Sequence, residues 1–244
     1  MTWRELLRRL FGQPSRPLPP PTPPPPAPVP PPVDPPPTGR LVGLVARGDS
    51  MAAGSGIGNP LTADPADTWL RELGKHLGVQ VYNAGVGGTL VSQAVAAQER
   101  DGRQESIGWH LLIFTGHNDV NKGDRAGIVP GIRTLAGNAG AGGYTVLGLT
   151  TGLTGEKGSE YYSVVCAPGG INSQLEAEHG PRFFNTHRFM VDEAMGMLGL
   201  TATAQDRADI AADIPPDSLR ADAGRGHFNE RGQQALADRL ATRF

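Results

Sequence analysis

The chain has 244 residues, with 22 Lys or Arg against 24 Asp or Glu and a formal net charge of −2, so it lacks the basic surplus that nucleic-acid binding requires. Its one cysteine, Cys166, excludes an internal disulfide and a cysteine-based zinc cluster. The length suits one α/β domain with a tail, and no stretch reaches the ~20 consecutive apolar residues of a membrane-spanning helix.

Residues 1–13 begin M-T-W-R-E-L-L-R-R-L-F, with Trp3, Leu6, Leu7, Leu10 and Phe11 at helical spacing between arginines. Charge interrupts the segment too often for the roughly 7–15-residue apolar core of a secretory signal peptide. Without a leader, the expected location is cytoplasmic or within a larger exported assembly. The segment reads either as a frayed helix or as a docking helix for a partner's groove or a membrane surface. Residues 14–38 are a proline-rich linker. Proline has no N–H and a fixed φ, so this run forms neither helix nor sheet and is expected to be a disordered, polyproline II-like spacer, roughly 75 Å long if straight at about 3.1 Å per residue.

Residues 39–244 alternate strand and helix. Leu41–Arg47 is a short apolar run ending at a turn, which predicts the first strand. Trp69, Leu70, Leu73 and Leu77 predict a helix over Thr68–Leu77, followed by a strand at Val79–Tyr82 and a helix at Leu90–Gln98. A third strand is expected at Leu111–Phe114, a helix at Ile128–Leu135 and a fourth strand at Tyr144–Leu149. Between Ile171 and Gly199 the pattern gives a helix, a short strand around Phe183–Met190 and another helix, and Arg231–Leu240 closes the chain as a helix. Such alternation predicts a three-layer α/β/α sandwich around a flavodoxin-like parallel sheet.

In open parallel sheets the reactive groups gather at the carboxyl ends of the strands. The first strand leads into Gly48-Asp49-Ser50-Met51, the second into Asn83-Ala84-Gly85-Val86-Gly87-Gly88-Thr89, and the third into Thr115-Gly116-His117-Asn118-Asp119. Near the C-terminus stand Asp217-Ser218-Leu219-Arg220-Ala221-Asp222 and Gly226-His227-Phe228-Asn229. These four segments, in this order, resemble the four sequence blocks of the GDSL/SGNH hydrolases over about residues 41–244. The resemblance implies that Ser50 is the nucleophile, that His227 is its general base, and that the N–H groups of Ser50 and Gly88 with the side-chain amide of Asn118 form the oxyanion hole. It also implies chemistry without metal or organic cofactor.

Elementary chemistry favours the same roles. A serine hydroxyl is a poor nucleophile until a base within hydrogen-bond reach takes its proton, and imidazole titrates near neutrality. A strand order of 2-1-3 would flank the Ser50 turn with the loops carrying Gly88 and Asn118; Gly88 is expected to be bare so that no side chain crowds the oxyanion. One position departs from the family pattern. The acid normally stands three residues before the histidine, where this chain has Gly224, and Asp222 stands five before. A glycine-containing bulge would bring Asp222 to His227; otherwise Asp217 or a backbone carbonyl orients the imidazole.

Other polar residues have plainer explanations. Asp49 is a turn former and Asp119 a capping group. His117 is a candidate substrate contact. His76, His110, His179 and His187 lack metal-ligand spacing, and Cys166 is expected to be a small buried hydrophobe. Gly85–Gly88 does not continue as G-x-G-x-x-G, since position 90 is leucine, which argues against nucleotide binding.

The expected activity is hydrolysis of small acyl esters, with acetyl groups on carbohydrate first. A short-chain esterase, thioesterase or lysophospholipase of the same fold is the alternative. Few aromatics and no long apolar lid segment speak against long acyl chains. A reading of another class is a catalytically weak adaptor tethered by the proline stalk.

Overall fold

The computed structural model describes residues 41–57, 68–152, 155–221 and 226–244. The N-terminal segment 1–13 and the linker 14–38 lie outside these residues, as does Asp222. Five strands are described: β1 (Gly43–Gly48), β2 (Gln80–Gly85), β3 (His110–Phe114), β4 (Tyr144–Leu147) and β5 (Phe183–Phe184). The helices, in chain order, are α1 (Ser50–Ala53), α2 (Trp69–Leu77), α3 (Val91–Asp101), α4 (Arg103–Ser106), α5 (His117–Lys122), α6 (Ile128–Gly137), α7 (Glu160–Val165), α8 (Ile171–His179), α9 (Thr186–Asp192), α10 (Ala194–Met197), α11 (Ala204–Ala211) and α12 (Glu230–Ala241).

The strands form one parallel sheet in the order β2-β1-β3-β4-β5. Alternation along each central strand sends side chains to two cores. Leu44 and Ala46 of β1 and Leu112 and Phe114 of β3 pack with Trp69, Leu70 and Leu73 of α2 and Leu236 and Leu240 of α12. Val45, Leu111, Ile113 and Val146 face the other way, onto Val91 of α3, Ile128, Ile132 and Leu135 of α6, and Ile171 and Leu175 of α8. This is the three-layer α/β/α arrangement that the alternating pattern predicts.

Register fixes where the loops emerge. Gly48 lies opposite Gly85 on one side and Phe114 on the other, so β1, β2 and β3 end level with one another. Their following loops therefore leave the sheet at one edge, side by side.

The structure departs from expectation after β5. The strand expected around Phe183–Met190 ends at Phe184, because the Asn185 side chain accepts the Arg188 N–H at 3.1 Å and starts α9. Phe189 and Met190, apolar enough to suggest a strand, are buried from that helix instead.

Arg47 is an ion in an otherwise apolar strand. It is 2% exposed, and its Nε donates to Oε1 of Glu105 at 2.8 Å, itself 1% exposed. Breaking a buried pair leaves an uncompensated charge, whereas replacing both members by apolar groups does not. Arg47→Met is expected to lower unfolding free energy by about 3–5 kcal/mol, and Arg47→Met/Glu105→Leu to recover most of that loss, as read by urea denaturation.

Candidate active site

Ser50 begins α1 immediately after the turn that ends β1. The turn is held by Asp49, fully buried, whose Oδ1 accepts the Met51 N–H at 2.9 Å while its own N–H donates to the Phe114 carbonyl at 3.2 Å. Met51 is anchored from its other side by the Trp69 indole N–H, which donates to the Met51 carbonyl at 3.0 Å. Gln233 of α12 accepts the Trp69 backbone N–H at 2.9 Å and donates to the Gly54 carbonyl at 2.7 Å. The helix that begins at Ser50 is thus tied to the helix that follows His227.

The His227 imidazole reaches Ser50 from the other end of the sequence. Its Nε2 lies 2.9 Å from Ser50 Oγ, across 177 positions of chain. A short antiparallel bridge, Arg220 with Phe228, holds the base of its loop, and the Ala221 N–H donates to the His227 carbonyl at 2.8 Å. Gly226, just before the histidine, has φ +72, and a Cβ there would lie 2.9 Å from the Thr151 carbonyl oxygen. Glycine meets both demands, a left-handed backbone and a close approach to the loop after β4.

The corner leading to His227 is stitched by buried polar groups. The Arg220 guanidinium pairs with Asp209 and, at 3.2 Å, with Asp217. Asn229 caps α12 by accepting the Gly232 N–H at 3.1 Å, and its amide donates to the carbonyls of Ser218 and Arg220 at 3.0 and 3.1 Å. Asp206 receives the Ser218 N–H and hydroxyl, both at 2.8 Å. Burial works to raise the Asp206 carboxyl, but the N–H and hydroxyl donors of Ser218 and Thr203 outweigh it and hold the group at about 2.

The loops from β2 and β3 meet beside Ser50. The Val86 N–H donates to the Gly48 carbonyl at 2.9 Å, and a Cβ on Gly87 would lie 3.9 Å from that of Ser50. Gly88 follows with φ +79. That backbone conformation is what calls for glycine here: among the described residues a Cβ would meet nothing within 4 Å. The Asn118 side-chain amide donates to the Thr89 carbonyl at 3.0 Å, which sets it next to Gly88. Both Asp119 oxygens accept the Val91 N–H, at 3.2 and 3.1 Å, so Asp119 caps α3; burial raises its pKa despite that hydrogen bond.

His117, expected as a substrate contact, is held inside the protein. It is 9% exposed, and both ring nitrogens are engaged inside the protein: Nδ1 with Asp49 Oδ2 at 3.1 Å, Nε2 with the Thr150 N–H at 3.1 Å. Nothing in the single sequence pairs position 117 with 49 or 150, because the contacts depend on strand register. Of the other histidines, His110 sits between the Gly142 carbonyl and Thr145 Oγ1, and burial lowers it to about 4. Burial pushes the Cys166 thiol up, away from the reactive thiolate range.

The architecture is shared with solved structures. A protein from Desulfitobacterium hafniense assigned to the lipolytic G-D-S-L family is 14% identical with a TM-score of 0.58, covering 83% of this chain and 99% of that one. The lipase Lip_vut3 from a goat rumen metagenome is also 14% identical, with a TM-score of 0.58 over 83% and 97% of the two chains. A member of the lipolytic G-D-S-L family from Veillonella parvula is 19% identical, with a TM-score of 0.53 over 82% and 96%. The chain therefore has the α/β/α fold found in G-D-S-L lipolytic proteins. No family model matches the sequence, and no curated protein does.

A carboxyl held below its ordinary value of 3.8 stabilises the folded state above about pH 4, and that contribution disappears as pH falls through about 2. The urea midpoint of the wild-type protein is therefore expected to drop between pH 4 and 2, and that of Asp206→Asn, lower at pH 7, to drop less over the same interval. Gly226→Ala is expected to lower the urea midpoint at pH 7, since φ +72 strains a residue with a Cβ and that Cβ would press on the Thr151 carbonyl oxygen.

Proposed function

We propose that this chain is a serine ester hydrolase of the SGNH type that cleaves small acyl esters through an acyl-serine intermediate. The observation that carries the reading is the 2.9 Å approach of His227 Nε2 to Ser50 Oγ at the carboxyl edge of the sheet. The lipolytic names attached to proteins of the same fold add support.

In the proposed reaction, Ser50 Oγ attacks the ester carbonyl carbon as its proton passes to His227 Nε2. The carbonyl π pair moves onto oxygen, where the oxyanion receives the Ser50 and Gly88 N–H groups and the Asn118 amide. Ser50 stands at the first position of α1, where an N–H has no carbonyl to receive it within the helix. Collapse of the tetrahedral adduct expels the alcohol, which takes the proton from His227. Water then enters by the same route and releases the acid from Ser50.

Asp222 remains the proposed orienting group for His227. It lies outside the described residues, but it directly follows Ala221, whose N–H is bonded to the His227 carbonyl. Asp217, the alternative, is engaged by Arg220. Asp222→Asn is expected to lower kcat by roughly 10⁴ if the three residues act as a triad, and a near-normal rate points to a Ser–His dyad.

The proposed substrate class is an acetyl ester on carbohydrate, ahead of other short acyl esters, thioesters or lysophospholipids. The rim at Gly85–Gly88 carries one apolar side chain, Val86, among three glycines, which offers little apolar wall for a long chain. Among the described residues no helix is long and apolar enough to cross a membrane. A partner that docks residues 1–13 and an extended glycan at the end of the 14–38 stalk would suit one another.

A serine-directed fluorophosphonate is expected to label the folded wild-type protein at Ser50 and not the Ser50→Ala variant. Asn118→Ala is expected to lower kcat by about 10²–10³. Turnover should fall with acyl length along p-nitrophenyl acetate, butyrate and octanoate, with acetate released from acetylated glycans. Absence of labelling on folded protein would favour the adaptor reading; a preference for octanoate would favour a lipid substrate.

A further inference from the structure

His117 is buried beside the site, one residue before Asn118. An amide N–H only donates, so the His117 Nε2 that receives the Thr150 N–H at 3.1 Å must carry the lone pair. The ring hydrogen is then on Nδ1 and donates to Asp49 Oδ2 at 3.1 Å. The same Oδ2 accepts the His117 backbone N–H at 3.2 Å, while Oδ1 holds the Met51 N–H in the first turn of the Ser50 helix. The ring packs edge-on against Phe114 of β3, with centroids 5.5 Å apart.

The other end of this chain of bonds leads to the histidine loop. Thr150 and Thr151 are both buried, and the Thr151 carbonyl is the surface on which Gly226 rests, one residue before His227. The 149–151 segment is itself pinned, since the Asn172 side chain accepts the Leu149 N–H at 2.9 Å and donates to its carbonyl at 2.8 Å. One imidazole thus spans from the turn that carries Ser50 to the loop against which the His227 segment is seated.

We infer that His117 is a positioning residue that sets the separation of Ser50 and His227, by donating from Nδ1 to Asp49 and accepting at Nε2 from Thr150. This rests on the reading of Ser50 as nucleophile. The two bonds can be removed separately. In Asn, the side-chain nitrogen takes the place of Nδ1 and the acceptor toward Thr150 is lost; in Gln, the side-chain oxygen takes the place of Nε2 and the donor toward Asp49 is lost.

The test compares wild type, His117→Asn, His117→Gln and His117→Ala by kcat and KM on p-nitrophenyl acetate and by the rate of fluorophosphonate labelling at Ser50. Each of Asn and Gln is expected to lower kcat and the labelling rate about tenfold or more, with KM within about twofold and melting temperature within a few degrees; Ala loses more than either, so each partly rescues. Wild-type labelling and kcat in both Asn and Gln would overturn the inference. Failure of the wild type itself to label would overturn the hydrolase reading instead. Should the variants not fold, the ¹⁵N spectrum of the wild-type imidazoles, assigned residue by residue, decides: His117 itself, and not only His110 or His227, with hydrogen on Nδ1 and a bare Nε2 supports the inference. His117 carrying hydrogen on Nε2 overturns it.

Discussion

The contact between His227 Nε2 and Ser50 Oγ joins residues 177 positions apart, and no local propensity creates it. It exists because β1 ends beside β2 and β3, and because α12 packs against α2 on the same side of the sheet as α1. Gln233 makes that packing specific: one buried amide bonds the start of α2 and the end of α1 at once. A buried amide left without partners is costly, so these helices have one good relative placement rather than several.

The site is built by the same logic. Its rigid parts are buried or half-buried polar side chains whose hydrogen bonds end on backbone groups: Asp49 on Met51, Asp119 on Val91, Asn118 on Thr89, Asp206 on Ser218, Asn229 on Ser218 and Arg220. Each bond fixes a loop to its neighbour instead of to solvent. The loops after β1, β2 and β3 and the C-terminal corner consequently form one hydrogen-bonded frame around the Ser50 hydroxyl, the kind of preorganisation that the proposed oxyanion chemistry needs. The ion pairs Arg47–Glu105 and Arg220–Asp209 brace the sheet and the corner from behind.

Much of this was legible in the residues. The apolar runs that became β1, β3 and β4, and the helices over Trp69–Leu77 and Ile128–Gly137, carry a periodicity that matches the two cores. Asp49 reads as a turn former and Asp119 as a capping group, because short carboxylates favour exposed N–H groups at turns and helix starts. Other features were hidden for physical reasons. Phe183, Phe184, Phe189 and Met190 look like one apolar stretch until Asn185 is seen to cap a helix between them. Arg47 reads as a strand end rather than a buried ion, since Glu105 pairs with it across 58 positions. His117 reads as a candidate substrate contact, and only the register of β1 against β3 shows that it reaches Asp49.

The convergence of three loops and one imidazole on a single oxygen is tested most directly by the crystal structure of the protein after reaction with a short alkyl fluorophosphonate. Convergence requires phosphorus bonded to Ser50 Oγ, its free oxygen about 2.7–3.1 Å from the Ser50 N, Gly88 N and Asn118 Nδ2, and His227 Nε2 facing the adduct. An adduct on another residue, or a phosphoryl oxygen turned to solvent away from Gly88 and Asn118, would contradict it.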